Sequence, residues 1–387
     1  MKQRILKTTA LLIVFSFVYL GIRAQTQPIN VVTTSVPFLR ISPDARSGGM
    51  GDIGIATSPD ANSGFWNLGK TPFAKSKTSI SATYTPWLRD IAQDVYLATL
   101  AGYHQIDEEQ AISASVRYFN LGNIQFTDFS GNPLQTYRPR EFAVDFGYSR
   151  KITDRLGLGV ALRYINSSLA SGDVGGTIYK AGVSVAGDLS LYHNGLNEEG
   201  QGLTWGIALS NLGSKIGYTD NAQSKDFIPA NLGVGVAYTS VFDEDNKITF
   251  GLDLNKLLVP QVTYDPNASD SANEASLTKY RNYGVFESWF RSFSTSAYQV
   301  SAGAEYTYND QFSVRAGYFY ETPNAGNRKY FTVGVGLKYN VFGLNFSYLV
   351  PSGQGISRNP LSNTLRFSLV FDLDAVDSNN DTPADGN

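Results

Sequence analysis

Tyr298-Gln299-Val300-Ser301-Ala302-Gly303-Ala304-Glu305-Tyr306-Thr307-Tyr308-Asn309-Asp310-Gln311-Phe312-Ser313-Val314-Arg315-Ala316-Gly317-Tyr318 alternates residue by residue on both sides of an Asn-Asp turn. One phase carries Val300, Ala302, Ala304 and Tyr306, then Phe312, Val314, Ala316 and Tyr318; the other carries Ser301, Gly303 and Glu305, then Ser313, Arg315 and Gly317. Period-two alternation marks a strand with two unlike faces, and a short polar turn between two such runs marks a hairpin. The charges travel with glycine and serine, opposite the large apolar side chains.

The same pattern extends in both directions. Fourteen segments of this kind are centred on residues 80–84, 95–103, 112–118, 142–148, 156–164, 181–189, 205–209, 232–238, 248–254, 298–306, 312–318, 331–339, 342–348 and 365–373. None is a run of about eighteen apolar residues, so any membrane crossing is made by strands. The mid-strand charges Arg117, Asp145, Arg163, Asp188, Asp253, Glu305, Arg315, Lys338 and Arg366 all fall on the small, polar phase. The apolar phase often ends in tyrosine, as at Tyr84, Tyr118, Tyr148, Tyr164, Tyr238, Tyr306 and Tyr348. A soluble sandwich would bury the apolar phase in a core. Apolar side chains capped by interfacial aromatics instead suit a wall facing lipid, with charges in the lumen, where they avoid a cost of about 2 to 4 kcal/mol each at the bilayer midplane. The expected fold is all-β, a transmembrane antiparallel barrel of about 14 strands over residues 78–373.

Connection lengths give an independent reading, because outer-membrane barrels pair short periplasmic turns with long outer loops. The even-numbered connections, near residues 104–110, 150–155, 192–202, 242–247, 309–310 and 340–341, are short. The odd-numbered ones, near 87–94, 120–140, 166–178, 211–229, 258–295, 321–329 and 351–360, are generally longer. An even strand number then leaves both termini in the periplasm.

The amino-terminal residues explain how such a chain leaves the cytoplasm. Lys2, Arg4 and Lys7 precede an apolar run from 10 to 20, and Ala24 stands where a signal peptidase would cut, so residues 1–24 read as a secretory signal peptide. Its removal takes four basic residues from 31 and leaves 27 Lys and Arg against 34 Asp and Glu, a net charge of −7, which argues against a nucleic-acid partner. Cysteine is absent and histidine is limited to His104 and His193, which excludes disulfides and thiol chemistry and weakens any metal proposal; no cofactor is expected. Residues 25–77 precede the first strand without strand patterning and are long enough to fill the lumen as a plug, while 374–387 read as an acidic, disordered periplasmic tail.

Several strings imitate functional motifs. Gly49-Met50-Gly51-Asp52-Ile53-Gly54 spells the dinucleotide fingerprint, but that motif needs a βαβ unit and nothing downstream alternates strand with helix. The glycines are read as letting a plug backbone turn tightly in a crowded lumen. Asp377 to Asp381 begins like a calcium loop, yet Thr382 stands in place of the turn glycine; Asp265, Asp270 and Glu274 lack ligand spacing. A lipid A deacylase would need a histidine on the outer side, whereas His104 and His193 fall in short connections, so no catalytic residues are assigned. Phe286, Trp289, Phe290 and Phe293 follow i, i+3, i+4, i+7 in the longest outer connection and predict a short amphipathic helix there, a candidate partner face, a roof over the lumen or a contact with outer-membrane lipid.

The segment Ala45-Arg46-Ser47-Gly48-Gly49-Met50-Gly51, followed by Ala56-Thr57, Asp60-Ala61-Asn62 and Trp66-Asn67, resembles the amino-terminal signature of FadL-like fourteen-stranded barrels, and within them is most similar to the PorV family of the type IX secretion system of Bacteroidota. On this likeness Arg46, Gly49, Met50, Gly51, Asp60, Asn62, Trp66 and Asn67 form the plug motif. Two features depart from the family: Asn67-Leu68-Gly69 replaces the frequent Asn-Pro-Ala, and the last strand ends at Phe371 rather than at the chain terminus. The resemblance implies a multi-pass protein of the outer membrane without enzymatic activity. Its implied partners are the giant outer-membrane translocon, the C-terminal domains of secreted cargo and a sortase-containing attachment complex. A FadL-like channel for hydrophobic solutes is the alternative.

Overall fold

A computed structural model describes residues 31–87, 94–127, 130–174, 176–220, 225–262, 264–350 and 363–373. The expected signal peptide, the first residues of the expected plug, the calcium-like string and the acidic tail lie outside the described residues.

Fourteen antiparallel strands close into one barrel. They are β1 Thr78–Pro86, β2 Val95–Gln105, β3 Gln110–Leu121, β4 Arg140–Thr153, β5 Leu156–Ser168, β6 Gly182–Leu196, β7 Gly202–Gly213, β8 Asn231–Val241, β9 Asn246–Leu257, β10 Tyr298–Tyr308, β11 Phe312–Glu321, β12 Lys329–Tyr339, β13 Phe342–Val350 and β14 Leu365–Leu373. Each strand pairs with its sequence neighbours, and β1 closes on β14 from Thr78↔Leu373 to Tyr84↔Phe367. Closure leaves no edge, which satisfies the backbone in a solvent that offers no hydrogen bonds. The strands run from 9 to 15 residues, enough for tilted crossings.

The faces follow the sequence phase. Leu162 and Phe146 are 68% and 66% exposed on the outer wall, whereas their neighbours Arg163 and Asp145 are 3% and 7% exposed in the lumen. All nine mid-strand charges face inward. Aromatic side chains line both ends of the outer wall. At the long-connection end Tyr84 lies 5.4 Å from Tyr96, Tyr96 lies 6.3 Å from Tyr118, and Tyr318 lies 4.7 Å from Phe331. At the other end Phe342 and Phe371 are 5.3 Å apart, and the hydroxyls of Tyr148 and Tyr306 donate to Gln110 and Asn246. These are the two interfacial girdles of a membrane barrel. Replacing Leu162, mid-strand in β5, with arginine is therefore expected to cost about 2 to 4 kcal/mol when unfolding is followed in lipid vesicles.

Connections alternate in length as read from sequence. The hairpin at Asn309-Asp310 has φ of 51° at both residues, the left-handed backbone that tight hairpins require and that Asn and Asp accept. One short connection is shorter than expected: β6 runs on to Leu196, so the turn begins after it rather than at Tyr192. Three outer connections carry two-stranded ribbons of their own, Ile124–Thr127 with Pro133–Tyr137, Gly172–Val174 with Thr177–Tyr179, and Ile216–Gly217 with Lys225–Asp226.

Residues 36–73 lie inside the wall, with short helices α1 (Ala45–Gly49) and α2 (Ser63–Trp66) and two 3-10 turns, Pro37–Arg40 and Leu68–Phe73. The termini, expected at the periplasmic end, lie outside the described residues, and the two ends of the inner segment lie at opposite ends of the barrel. Thr78 and Leu373 pair at the short-turn end, but Val32 donates its N–H to the Asn324 carbonyl in the connection between β11 and β12, at the opposite end. Parity of strand number fixes where the barrel begins and ends; it carries no information about a segment that threads the lumen before the first strand.

Candidate functional site

The inward side chains of β9 to β14 hold residues 44–55 in place. Asp44 caps α1 by accepting the Ser47 N–H at 2.8 Å, and its second oxygen accepts the Trp66 indole N–H at 3.1 Å. Capping orients α1 so that Arg46 crosses to the wall. Its guanidinium donates to both oxygens of Glu305, at 2.8 and 3.1 Å, and to Asp60 at 3.0 Å. Glu305 also accepts Arg315 Nε at 2.5 Å, and Arg315 reaches Asn345 at 2.8 Å. One carboxylate thus ties a guanidinium of the inner segment to a guanidinium of the wall.

The backbone next approaches the strands closely. The Gly51 N–H donates to the Thr332 hydroxyl at 2.8 Å with φ of 74°, and a Cβ there would lie 2.7 Å from the Tyr318 backbone. Gly49 packs against the Gly334 backbone, while Met50, fully buried, seats against Gly303 and Gly317. The Gly54 and Ile55 N–H groups share one oxygen of Asp253, at 2.8 and 3.0 Å. Asn62 bonds Ser81 at 3.4 Å, and Asn67 donates to the carbonyls of Ile55 and Leu191 at 3.1 and 2.9 Å. Lys70, wholly buried, donates to the Gly54 carbonyl at 2.7 Å. Gly49 and Gly51 of the fingerprint-like string therefore stand where backbone meets backbone, Gly54 lies against the Trp66 ring, and the helix ends at Gly49 instead of starting after the string.

A second group of charges crosses the other wall. Arg163 bonds Asp145, Asn211 and Asp188, the last at 2.7 Å, and Arg117 contacts Asp145 at 3.4 Å with its guanidinium 4.9 Å over the Phe65 ring. Toward the long-connection end Glu321 accepts Arg40 at 2.7 Å and Arg328 at 2.6 Å. Above these, Val36, Phe38, Leu39 and Ile41 pack with Leu97, Phe119, Ile165 and Phe319, so the outer half of the lumen is filled by apolar side chains of the same chain. At the short-turn end a polar vestibule of about 940 Å³ reaches from Arg46 and Glu305 to the Asp243-Glu244-Asp245 turn. A small cavity of about 70 Å³ lies between the inner segment and the wall beside Asp52 and Arg366.

The connection between β9 and β10 forms two helices, α3 (Asp270–Asn282) and α4 (Val285–Arg291), followed by a 3-10 turn at Ser292–Ser294. Tyr280 of α3 is buried against Phe227, with ring centroids 5.3 Å apart. Lys215 Nζ donates to the Arg281 and Tyr283 carbonyls at 2.7 and 2.6 Å, and burial there lowers its affinity for a proton. The Arg291 guanidinium, bonded at 2.7 Å, holds Glu287 below the ordinary carboxylate range. On this anchored base Phe286, Phe290 and Phe293 are 72%, 77% and 56% exposed, while Trp289 is half-buried with its ring 4.8 Å from Phe286. The four predicted residues do share one region, but Phe293 lies on the 3-10 turn beyond α4.

Sequence reasoning missed α3, the Asp44 cap, Lys70 and the role of Asp253. Ser269, which caps α3 by accepting the Ala272 N–H, is a local signal; the helix offers only Leu277 and Tyr280 as large apolar positions, too few for a period. His104 bonds the Thr78 hydroxyl at 2.8 Å, and His193 stacks on Trp205 with centroids 5.3 Å apart. Both stand at the short-turn end, as their connections implied.

Comparison with known proteins bears on both halves of the site. The family model described as Type IX secretion system protein PorV matches residues 23–264, more than half of the chain. No curated relative matches. Among solved structures the fold is similar to the toluene transporter TbuX of Ralstonia pickettii, with a TM-score of 0.50 at 13% identity over 86% of this chain and 97% of that one. It is also similar to the toluene transporter TodX of Pseudomonas putida, with a TM-score of 0.50 at 13% identity over 89% and 98%.

Proposed function

The chain belongs to the PorV family of type IX secretion system proteins, and from that premise we propose that it is a carrier in the outer membrane that meets other proteins through its outer connections. It receives cargo bearing a C-terminal signal domain at the giant translocon and passes it to the sortase-containing attachment complex. No covalent chemistry is needed for such a transfer. The observation that carries the reading is the pairing of a lumen filled in its outer half with an aromatic cluster left in solvent on an anchored helix. Large exposed aromatics on an ordered base are the composition of protein interfaces.

A channel for hydrophobic solutes would need a path past the inner segment, which the Arg46–Glu305 and Gly51–Thr332 contacts hold to the wall. Deletion of the gene separates the two readings. Cargo with a C-terminal signal is expected to accumulate in the periplasm while uptake of hydrophobic solutes is unchanged. Impaired uptake with normal secretion would contradict the proposal.

A further inference from the structure

The inner segment crosses the barrel in one direction. It ends at the short-turn end, where Thr78 pairs with His104 and Leu373, and its first described residues lie among the long connections. There the Val32 N–H donates to the Asn324 carbonyl at 2.8 Å and the Ser35 N–H to the Phe227 carbonyl at 3.0 Å. These two acceptors belong to different connections, those following β11 and β7. The Val32 side chain is buried with Phe227, Val259 and Tyr280, the last on α3, while Val31 is 43% exposed.

The turn from these anchors into the lumen is strained. Val36 has φ of 49° and ψ of 51°, a left-handed conformation that a β-branched side chain rarely adopts. Such a residue persists only where its surroundings over-determine it. Val36 is 1% exposed, and the following Pro37–Arg40 turn drives Phe38 and Leu39 into the apolar sleeve.

We propose that residues 31–41 are a strap that enters the lumen from the outer face and ties two outer connections and α3 to the barrel, so that the display of α4 depends on it. The threading stands on the contacts above. Its consequence for partner binding rests on the reading of α4 as a docking face.

Because the chain has no cysteine, single substitutions report position without background. Val31→Cys, Glu274→Cys on α3 and Glu108→Cys in a short turn are each exposed sites to label on intact cells with a membrane-impermeant maleimide. Val31→Cys is expected to label as fully as Glu274→Cys, and Glu108→Cys at least tenfold less until the outer membrane is permeabilised. A Val31→Cys signal that follows Glu108→Cys overturns the proposal. If Val31→Cys is silent in both conditions, Val32→Asp decides the matter in purified protein. It is expected to speed proteolysis within 258–297 at least fivefold with the heat-modifiable barrel band intact, and unchanged proteolysis overturns the strap. Faster proteolysis with undiminished partner recovery would leave the strap standing and remove its link to docking.

Discussion

Arg46→Ala is expected to open the barrel without unfolding it. In a planar bilayer the variant should show stable conductance where the wild type shows little, and cells carrying it should admit large polar antibiotics. The substitution leaves Asp60 without its guanidinium and Glu305 with Arg315 alone. Truncating one member of a buried, hydrogen-bonded charge group typically costs about 3 to 5 kcal/mol. That loss falls on the inner segment, because the wall is closed by strand pairing that Arg46 does not join. Arg46→Lys keeps the charge but not the two-pronged bond to Glu305, so its conductance should be intermediate. Wild-type conductance in Arg46→Ala, with the protein folded, would mean that the apolar sleeve around Phe38 and Leu39 closes the lumen by itself.

The second large effect is expected at the opposite end of the molecule. Changing Phe286, Phe290 and Phe293 together to serine should reduce recovery of outer-membrane partners by at least about 100-fold, since aromatic anchors at interface centres are worth about 2 kcal/mol or more each. Stability should move little, because these rings are among the most exposed on the molecule and α4 keeps its Glu287–Arg291 pair. Quantitative co-purification checks the first point and thermal unfolding in detergent the second. Full partner recovery by the triple variant would assign the cluster to lipid contact or to a roof over the lumen instead.

The barrel was legible in the sequence because a lipid-facing wall imposes a strict period. Each of the fourteen segments around residues such as Leu162 or Val314 has one face that tolerates no charge and one that accepts it, and the alternation of short and long connections gave the ends. The pairing of Glu305 with Arg315 depends on a three-residue loop, 309–311, one residue longer than the turn expected from sequence. The inner segment obeys no period, because it is surrounded by barrel on all sides. Its contacts join residues far apart in the chain, such as Arg46 with Glu305 or Asp52 with Tyr330. Neither composition nor spacing announces them, nor the direction in which the segment crosses the lumen. The docking candidate stood between these cases. The i, i+3, i+4 aromatics drew attention to α4, but the polar helix that supports it buries chiefly Tyr280.

Affinity purification of the wild-type chain from native membranes in a mild detergent tests the central claim most directly. The giant translocon and cargo with C-terminal signal domains are expected among the recovered proteins, in amounts that fall in parallel with loss of the three phenylalanines. Recovery of the intact barrel with neither translocon nor cargo would contradict the account.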